Sequence, residues 1–289
     1  MKSLIKILKG VLIGIAAIVP GFSGGTIACI VNCYDELIEA ALSEKIDAII
    51  SGAGLPLRLP ELVKDHEVLI APIVSSGKAC KLIMKHWVKK YQRAPDFIVI
   101  EGALAGGHLG FKKEDLENQT YQSLEEIFQE VEQVVESFQL NIPIFVAGGI
   151  HQRSDVKHFF ELGVDGVQVA SRFIPTYECD ASMKYKEAFL KAKKEEVGLV
   201  SSPVGMPGRA FQNAFVQKTK QEKVPIKKCY QCLTPCNLKT TPYCISRALI
   251  EAVKGNLDEG LIFTGAYGYM QDHLMHVEEV IHELMEDEK

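Results

Sequence analysis

The chain has 289 residues, 47% hydrophobic, 24% charged and 8% aromatic, with a formal net charge of -5. This balance excludes intrinsic disorder, which needs low hydrophobicity and high net charge, and collagen, which needs far more than 23 Gly and 12 Pro. A pI near 5.9 and the lack of any basic stripe with interleaved aromatics argue against nucleic acid as a partner, and a multi-span transporter would need several long apolar runs.

The first segment in chain order, residues 10–34, carries no charge and follows Lys2, Lys6 and Lys9. About 20 apolar residues span a bilayer, so one reading is a membrane anchor through residues 10–34. Against it, Pro20, Gly21, Gly24 and Gly25 cut the run into short pieces, and it lacks the small-residue end of a signal peptide. The other reading is that it supplies buried strands, or is a scar of fusion or truncation.

Beyond Asp35, short apolar runs alternate with amphipathic stretches of helical length. The runs at 46–51, 68–74, 97–101, 142–147 and 166–169 are rich in Val and Ile and apolar on consecutive positions, as parallel strands buried on both faces read. Helices are expected over 34–44, 77–91, 123–138 and 154–162. The last two start at Ser123 and Ser154 as N-caps, and Glu126 completes a capping box with Ser123. Strand then helix, repeated, means βα units. Nearly every run ends in a turn of small residues: SGAG, SSGK, EGALAGGHLG, AGGI and ASRF. A (β/α)8 TIM barrel builds its active site from such turns at the strand C-termini, whereas a doubly wound sheet concentrates them at one switch point, so the pattern favours the barrel. After Ala192 the character changes to a Pro/Gly-rich stretch, a basic linker (KTKQEKVPIKK), a cysteine cluster and closing helices over 245–254 and 276–286.

Chemistry is concentrated in the turns. In EGALAGGHLG, adjacent glycines let backbone approach a flat or anionic ligand, and His108 can exchange a proton near neutral pH. Gly148 and Gly149, and then Ala170 and Ser171, are small residues suited to a main-chain phosphate cradle; Arg172 could add a charge there or point outward. His151, His158, His273 and His276 show no ligand spacing and receive no role.

The segments SGAGLPL, PIVSS, EGALAGGHLGF, VAGGI, LGVDGVQVASRFIPTYEC and SPVGMPGRAFQN together resemble the FMN-dependent nitronate monooxygenase family, related to the flavin-containing enoyl-acyl carrier protein reductase II. The resemblance runs over roughly residues 27–289. It implies a cytoplasmic FMN oxidoreductase with His108 as the active-site histidine. Glu101, Gly106 and Gly107 would meet the flavin, and Gly148 and Gly149 its phosphate. Gln168, Val169, Ala170 and Ser171 stand where the family has Q-x-G-T, with Ala and Ser replacing Gly and Thr. The implied substrate is an alkyl nitronate oxidised with oxygen; the alternative is an enoyl thioester reduced with NAD(P)H; a third reading is an inactive or membrane-tethered remnant. The resemblance also leaves room for a homodimer.

The resemblance further implies that two strands should precede a sixth at 26–32. The N-terminus instead offers LKGVLIGIAAIVPGFSGG, which resembles integral-membrane polyprenyl-phosphate translocase-like proteins. The expected organisation is therefore an atypical segment 1–25, an FMN-binding βα barrel portion 26–196 lacking or replacing the first two strands, and a Cys-rich helical extension 197–289. In that extension Cys229, Cys232, Cys236 and Cys244 have the spacing C-x2-C-x3-C-x7-C, which reads as zinc ligands, unmetallated thiols, or, by resemblance to FMN dienoyl-CoA reductases, a [4Fe–4S] site. Cys29, Cys33, Cys80 and Cys179 read as small buried hydrophobes.

Overall fold

The structure is a computed structural model that describes residues 34–52, 54–229 and 236–286. The expected strand at 26–32, Cys29, Cys33, Cys232 and nearly all of the uncharged stretch lie outside the described residues. Among those described, the strands are β1 (Ala48–Ser51), β2 (Leu69–Val74), β3 (Ile98–Glu101), β4 (Gly107–His108), β5 (Ile144–Ala147), β6 (Gly166–Gln168), β7 (Val197–Ser201) and β8 (Pro207–Phe211). The helices are α1 (Tyr34–Ser43), α2 (Leu59–Leu62), α3 (Gly77–Tyr91), α4 (Lys113–Asn118), α5 (Leu124–Ser137), α6 (Arg153–Glu161), α7 (Met183–Lys191), α8 (Ala214–Gln221), α9 (Ile245–Val253) and α10 (Val277–Met285).

The five apolar runs read from sequence become β1, β2, β3, β5 and β6, all parallel and in that spatial order. Each new strand is added on the same side of the last. A doubly wound sheet reverses direction at a switch point; this one does not, which is the winding of a barrel. Register aligns the C-terminal ends: Ser51 lies beside Pro72, Glu101 beside Ala147, and Ala147 beside Gln168. The turns that follow therefore open on one rim.

Helices α3 and α5 cover the outer face of the sheet. α3 starts where the Ser76 hydroxyl accepts the Ala79 N–H at 3.2 Å, and ends at Gln92 in the left-handed region. α5 starts with the expected capping box, Ser123 with Glu126. Ile83, Trp87, Ile98, Ile100, Ile127 and Val131 are fully buried between these layers. Each such side chain contributes about 1.5–3 kcal/mol. The Trp87 indole N–H donates to the Pro56 carbonyl at 3.0 Å, so its polar edge is satisfied.

Some expectations need correction. Ser154 is not the N-cap of α6: Gln152 is, because Asp155 three residues on accepts the Gln152 N–H at 2.9 Å and closes a capping box with it. Burial on both faces holds for β3, where Ile98, Val99 and Ile100 are buried, but Ile50 and Leu69 are 47% and 48% exposed. Ala71, which pairs with Ile50 on that same face, is fully buried, so the exposure is confined to part of it. The Pro/Gly-rich stretch contains a β7–β8 hairpin, whose strand β8 also pairs antiparallel with β4. The basic linker begins as the last turn of α8, started by the Asn213 side chain accepting the Val216 N–H. Proline and glycine at strand ends and turns masked the hairpin, since its alternation is short and interrupted.

No described helix is long and apolar enough to cross a membrane.

Candidate functional site

The turns after β1, β2, β3, β5 and β6 meet around one cavity of about 520 Å³, within the usual range for small-molecule sites. His108, Glu101, Gly106, Gly107, Gly148, Gly149, Gln168, Val169, Ala170 and Ser171 all stand on its wall. Cys229, Cys236 and Cys244, the described members of the cysteine cluster, do not. Cys236 Sγ lies 3.4 Å from the Thr241 hydroxyl, Cys244 occupies the N-cap position of α9 with no capping bond from its side chain, Cys229 is on the surface, and the described residues contain no group of three or more His, Cys, Asp or Glu poised for a metal. Cys80 is buried, as expected, and burial pushes its thiol up to about 12.

His108 is placed by main-chain pairing. β4 is a two-residue strand held against β8, with Gly107 opposite Arg209 and His108 opposite Gly208. The imidazole packs edge-on against Phe263, ring centroids 5.0 Å apart, and its Nε2 lies 2.8 Å from the Ser202 hydroxyl. Ser202 Oγ also accepts the Val204 N–H at 3.4 Å, so the hydroxyl that meets the ring is itself held by the main chain. Burial lowers the ring's pKa to about 4, so His108 is neutral near pH 7.

Glu101 ends β3 on the same wall. Its carboxyl has no hydrogen-bond partner among the described residues, and burial raises its pKa to about 7. The folded-state value exceeds the ordinary 4.5. Stability is therefore fullest below that ordinary value and is lost as pH rises through about 7, where folding must desolvate a carboxylate. Glu101→Gln should be more stable than the parent at pH 8 by about 2 kcal/mol, a figure discounted because the side chain is not fully buried, and no different at pH 4. Urea unfolding at the two pH values checks this, and an equal gain at both would contradict the assignment.

The loop at 264–268 was not anticipated, yet it ties the site together. Thr264 N–H donates to the Arg209 carbonyl at 3.1 Å, Gly265 N–H to the Ser171 hydroxyl at 3.0 Å, and Ala266 N–H to the Leu104 carbonyl at 3.0 Å. The signal was there: Leu261, Ile262 and Phe263 form an apolar run ending in a Gly turn, like the other five, but too short to read as a strand. A Cβ on Gly106 would lie 2.6 Å from both Gly265 N and Thr264 C, so this glycine serves the approach of that loop, beyond any ligand contact. Gly106→Ala should cost about 1–3 kcal/mol, read as a lower urea midpoint. An unchanged midpoint would mean that the loops are not in register.

Gly148 and Gly149 have φ of 92° and 83°, a region other residues rarely adopt. Their N–H groups, and those of Ala170 and Ser171, donate to no acceptor among the described residues. Arg172 does not join them. It is 7% exposed, ion-paired with Glu283 on α10 and donates to the Gln271 side-chain Oε1 at 3.0 Å, so its charge is spent away from the cavity.

The family model for nitronate monooxygenase matches residues 13–287, nearly the whole chain, beginning inside the uncharged stretch. The chain belongs to the nitronate monooxygenase family. A probable nitronate monooxygenase of Staphylococcus saprophyticus is 26% identical over 190 residues, which is 65% of this chain and 50% of that protein. The chain thus spans about half the length of such curated relatives. In fold it is similar to FabK from Thermotoga maritima (TM-score 0.67, 22% identity, covering 87% of this chain and 71% of that one) and to a nitroalkane oxidase from Streptomyces ansochromogenes (TM-score 0.65, 17% identity, 97% and 75%). For a nitronate monooxygenase family member of barrel type, the cavity sits where the fold puts its chemistry, at the C-terminal rim of the strands.

Proposed function

We propose that this chain binds FMN in the rim cavity and oxidises alkyl nitronates with oxygen. One observation carries the reading. A neutral histidine, a carboxyl of raised pKa and two turns of small residues with undonated N–H groups share one wall, in a chain of this family. What supports a flavin phosphate here is that four N–H groups, from two turns on one cavity wall, have no acceptor among the described residues, which is what an anion nest requires. FMN, when bound, supplies the electron acceptor for the oxidation and returns the electrons to oxygen.

The chain's own groups do the rest. In this reading the Ser202 hydroxyl donates to Nε2 of the neutral His108, and the hydrogen on Nδ1 then serves a nitronate oxygen in a charge-assisted bond. Glu101 is mostly uncharged below about pH 7 and so does not repel an anionic substrate. Phe263, Ile73 and Met206 give the cavity an apolar portion that excludes water from the alkyl group. No step uses a metal. Iron and zinc analysis before and after Cys232→Ala tests the cysteine run separately.

The purified protein decides the rest. Flavin absorption bands and oxygen uptake with an alkyl nitronate are expected. Bands with NADH oxidation by an enoyl thioester and no nitronate turnover would replace the reaction with the reductase one, and a spectrum without flavin bands after FMN addition would remove both.

A further inference from the structure

The wall of the rim cavity carries no lysine or arginine among the described residues, and its titratable bases are His108 and His151. His151 directly follows the turn of Gly148 and Gly149, is 7% exposed, and lines the cavity. Its main-chain N–H donates to Asp155, but its imidazole makes no hydrogen bond among the described residues. Arg172, in the turn after β6, acts on the ring electrostatically and so does Asp155 from α6. The ring therefore lines the same cavity as the two turns to which the flavin phosphate was assigned.

The fixed charges around it are already committed. Arg172 is paired with Glu283 of α10 and bonded to Gln271. The Asp155 carboxylate accepts the N–H groups of His151 and Gln152 at 2.9 Å each. Tyr267, from the 264–268 loop, is a further cavity group on the Asp155 side; it is neutral near pH 7, and burial pushes its pKa further up from 10. An entering phosphate finds main-chain donors but no uncommitted positive charge.

We propose that His151 takes up a proton when the flavin phosphate enters and holds that phosphate as an imidazolium, so that the site selects FMN over riboflavin in a pH-dependent way. The inference rests on the flavin reading above. Without an anion the ring is neutral, because burial first and Arg172 second lower its pKa to about 4. A dianion within a few ångströms has the opposite effect and favours the charged ring. The proton comes from solvent and joins the free ring nitrogen; no bond to the phosphate forms. FMN affinity should thus rise as pH falls toward 6, against the loss expected as the phosphate itself gains a proton near pH 6.

Calorimetric titration of the full chain with FMN and with riboflavin, at pH 6.5 in buffers of different ionisation enthalpy, tests this. Wild-type protein should take up more protons on binding FMN than His151→Gln does, a difference in which the phosphate's own protonation cancels. FMN affinity should fall about ten- to hundredfold in that variant, with riboflavin affinity within about twofold. NMR of histidine-labelled wild-type protein needs no variant: the His151 midpoint should move up when FMN is added and stay put with riboflavin. A midpoint unmoved by FMN, or equal proton uptake in both proteins, would overturn the inference while leaving FMN binding intact. FMN that fails to bind the wild-type chain removes the flavin reading and this inference together.

Discussion

Replacing His108 by asparagine should lower kcat/KM for an alkyl nitronate about 10²- to 10³-fold while leaving bound flavin near the parent level. The magnitude is that of losing one preorganised donor in a water-poor site. Preorganisation is the point, because the ring is fixed three ways: main-chain pairing of β4 with β8, the Ser202 hydroxyl at 2.8 Å, and the Phe263 edge at 5.0 Å. Its pKa near 4 gives a second readout. Since the ring stays neutral from pH 5 upward, the profile of kcat/KM should show no step near 6.5 from His108. The first step on raising pH should come near 7, where Glu101 ionises and repels the anion, and it should vanish in Glu101→Gln. Steady-state oxygen uptake across pH 5–8.5 measures both. A His108→Asn enzyme within threefold of the parent would remove the residue from the chemistry.

Much of this arrangement was legible in the sequence because the parallel strands are short, β-branched and buried, and because each is followed by a turn of small residues. Such runs mark both the strands and the rim. What sequence could not give is whatever depends on pairing between distant segments. Ser202 lies 94 residues from His108, and nothing in SSPVGMPG says that its hydroxyl meets an imidazole. The strand β4 is only Gly107–His108, with no period to read; it exists because β8 lies beside it. Arg172 could be read either as a phosphate ligand or as pointing outward, and only the position of Glu283 and Gln271 decides it. His151 has no spacing to recommend it, and its interest comes from its burial on the cavity wall. The cysteine run shows the reverse case: a legible spacing whose Cys232 lies outside the described residues.

Arg209→Met should lower stability by about 2–4 kcal/mol and loosen the loop that carries His108. Arg209 is 8% exposed, and no carboxylate pairs with it among the described residues. Instead its Nη1 donates to the carbonyls of Ala103 and Ala105, both at 2.6 Å. A buried cation held only by neutral carbonyls is costly, and burial accordingly lowers its pKa, so the arginine must return more than packing. What it returns is the path of residues 103–105. Those carbonyls belong to buried alanines, and methionine would leave both without this donor, at about 1–3 kcal/mol each, partly offset because the desolvated charge is gone. The main chain at 209 would still pair with Gly107 and accept the Thr264 N–H, so β8 itself should survive. Loss is therefore expected to be local before it is global: faster amide exchange at Ala105, pinned otherwise only through Gly102, together with a lower urea midpoint and a fall in kcat larger than any rise in KM. Arg209→Lys, which keeps the charge but not the fork, should fall between the two. Unchanged exchange at Ala105 in Arg209→Met would mean that the loop holds its shape through Thr264–Ala266 alone, and that the arginine serves only the core.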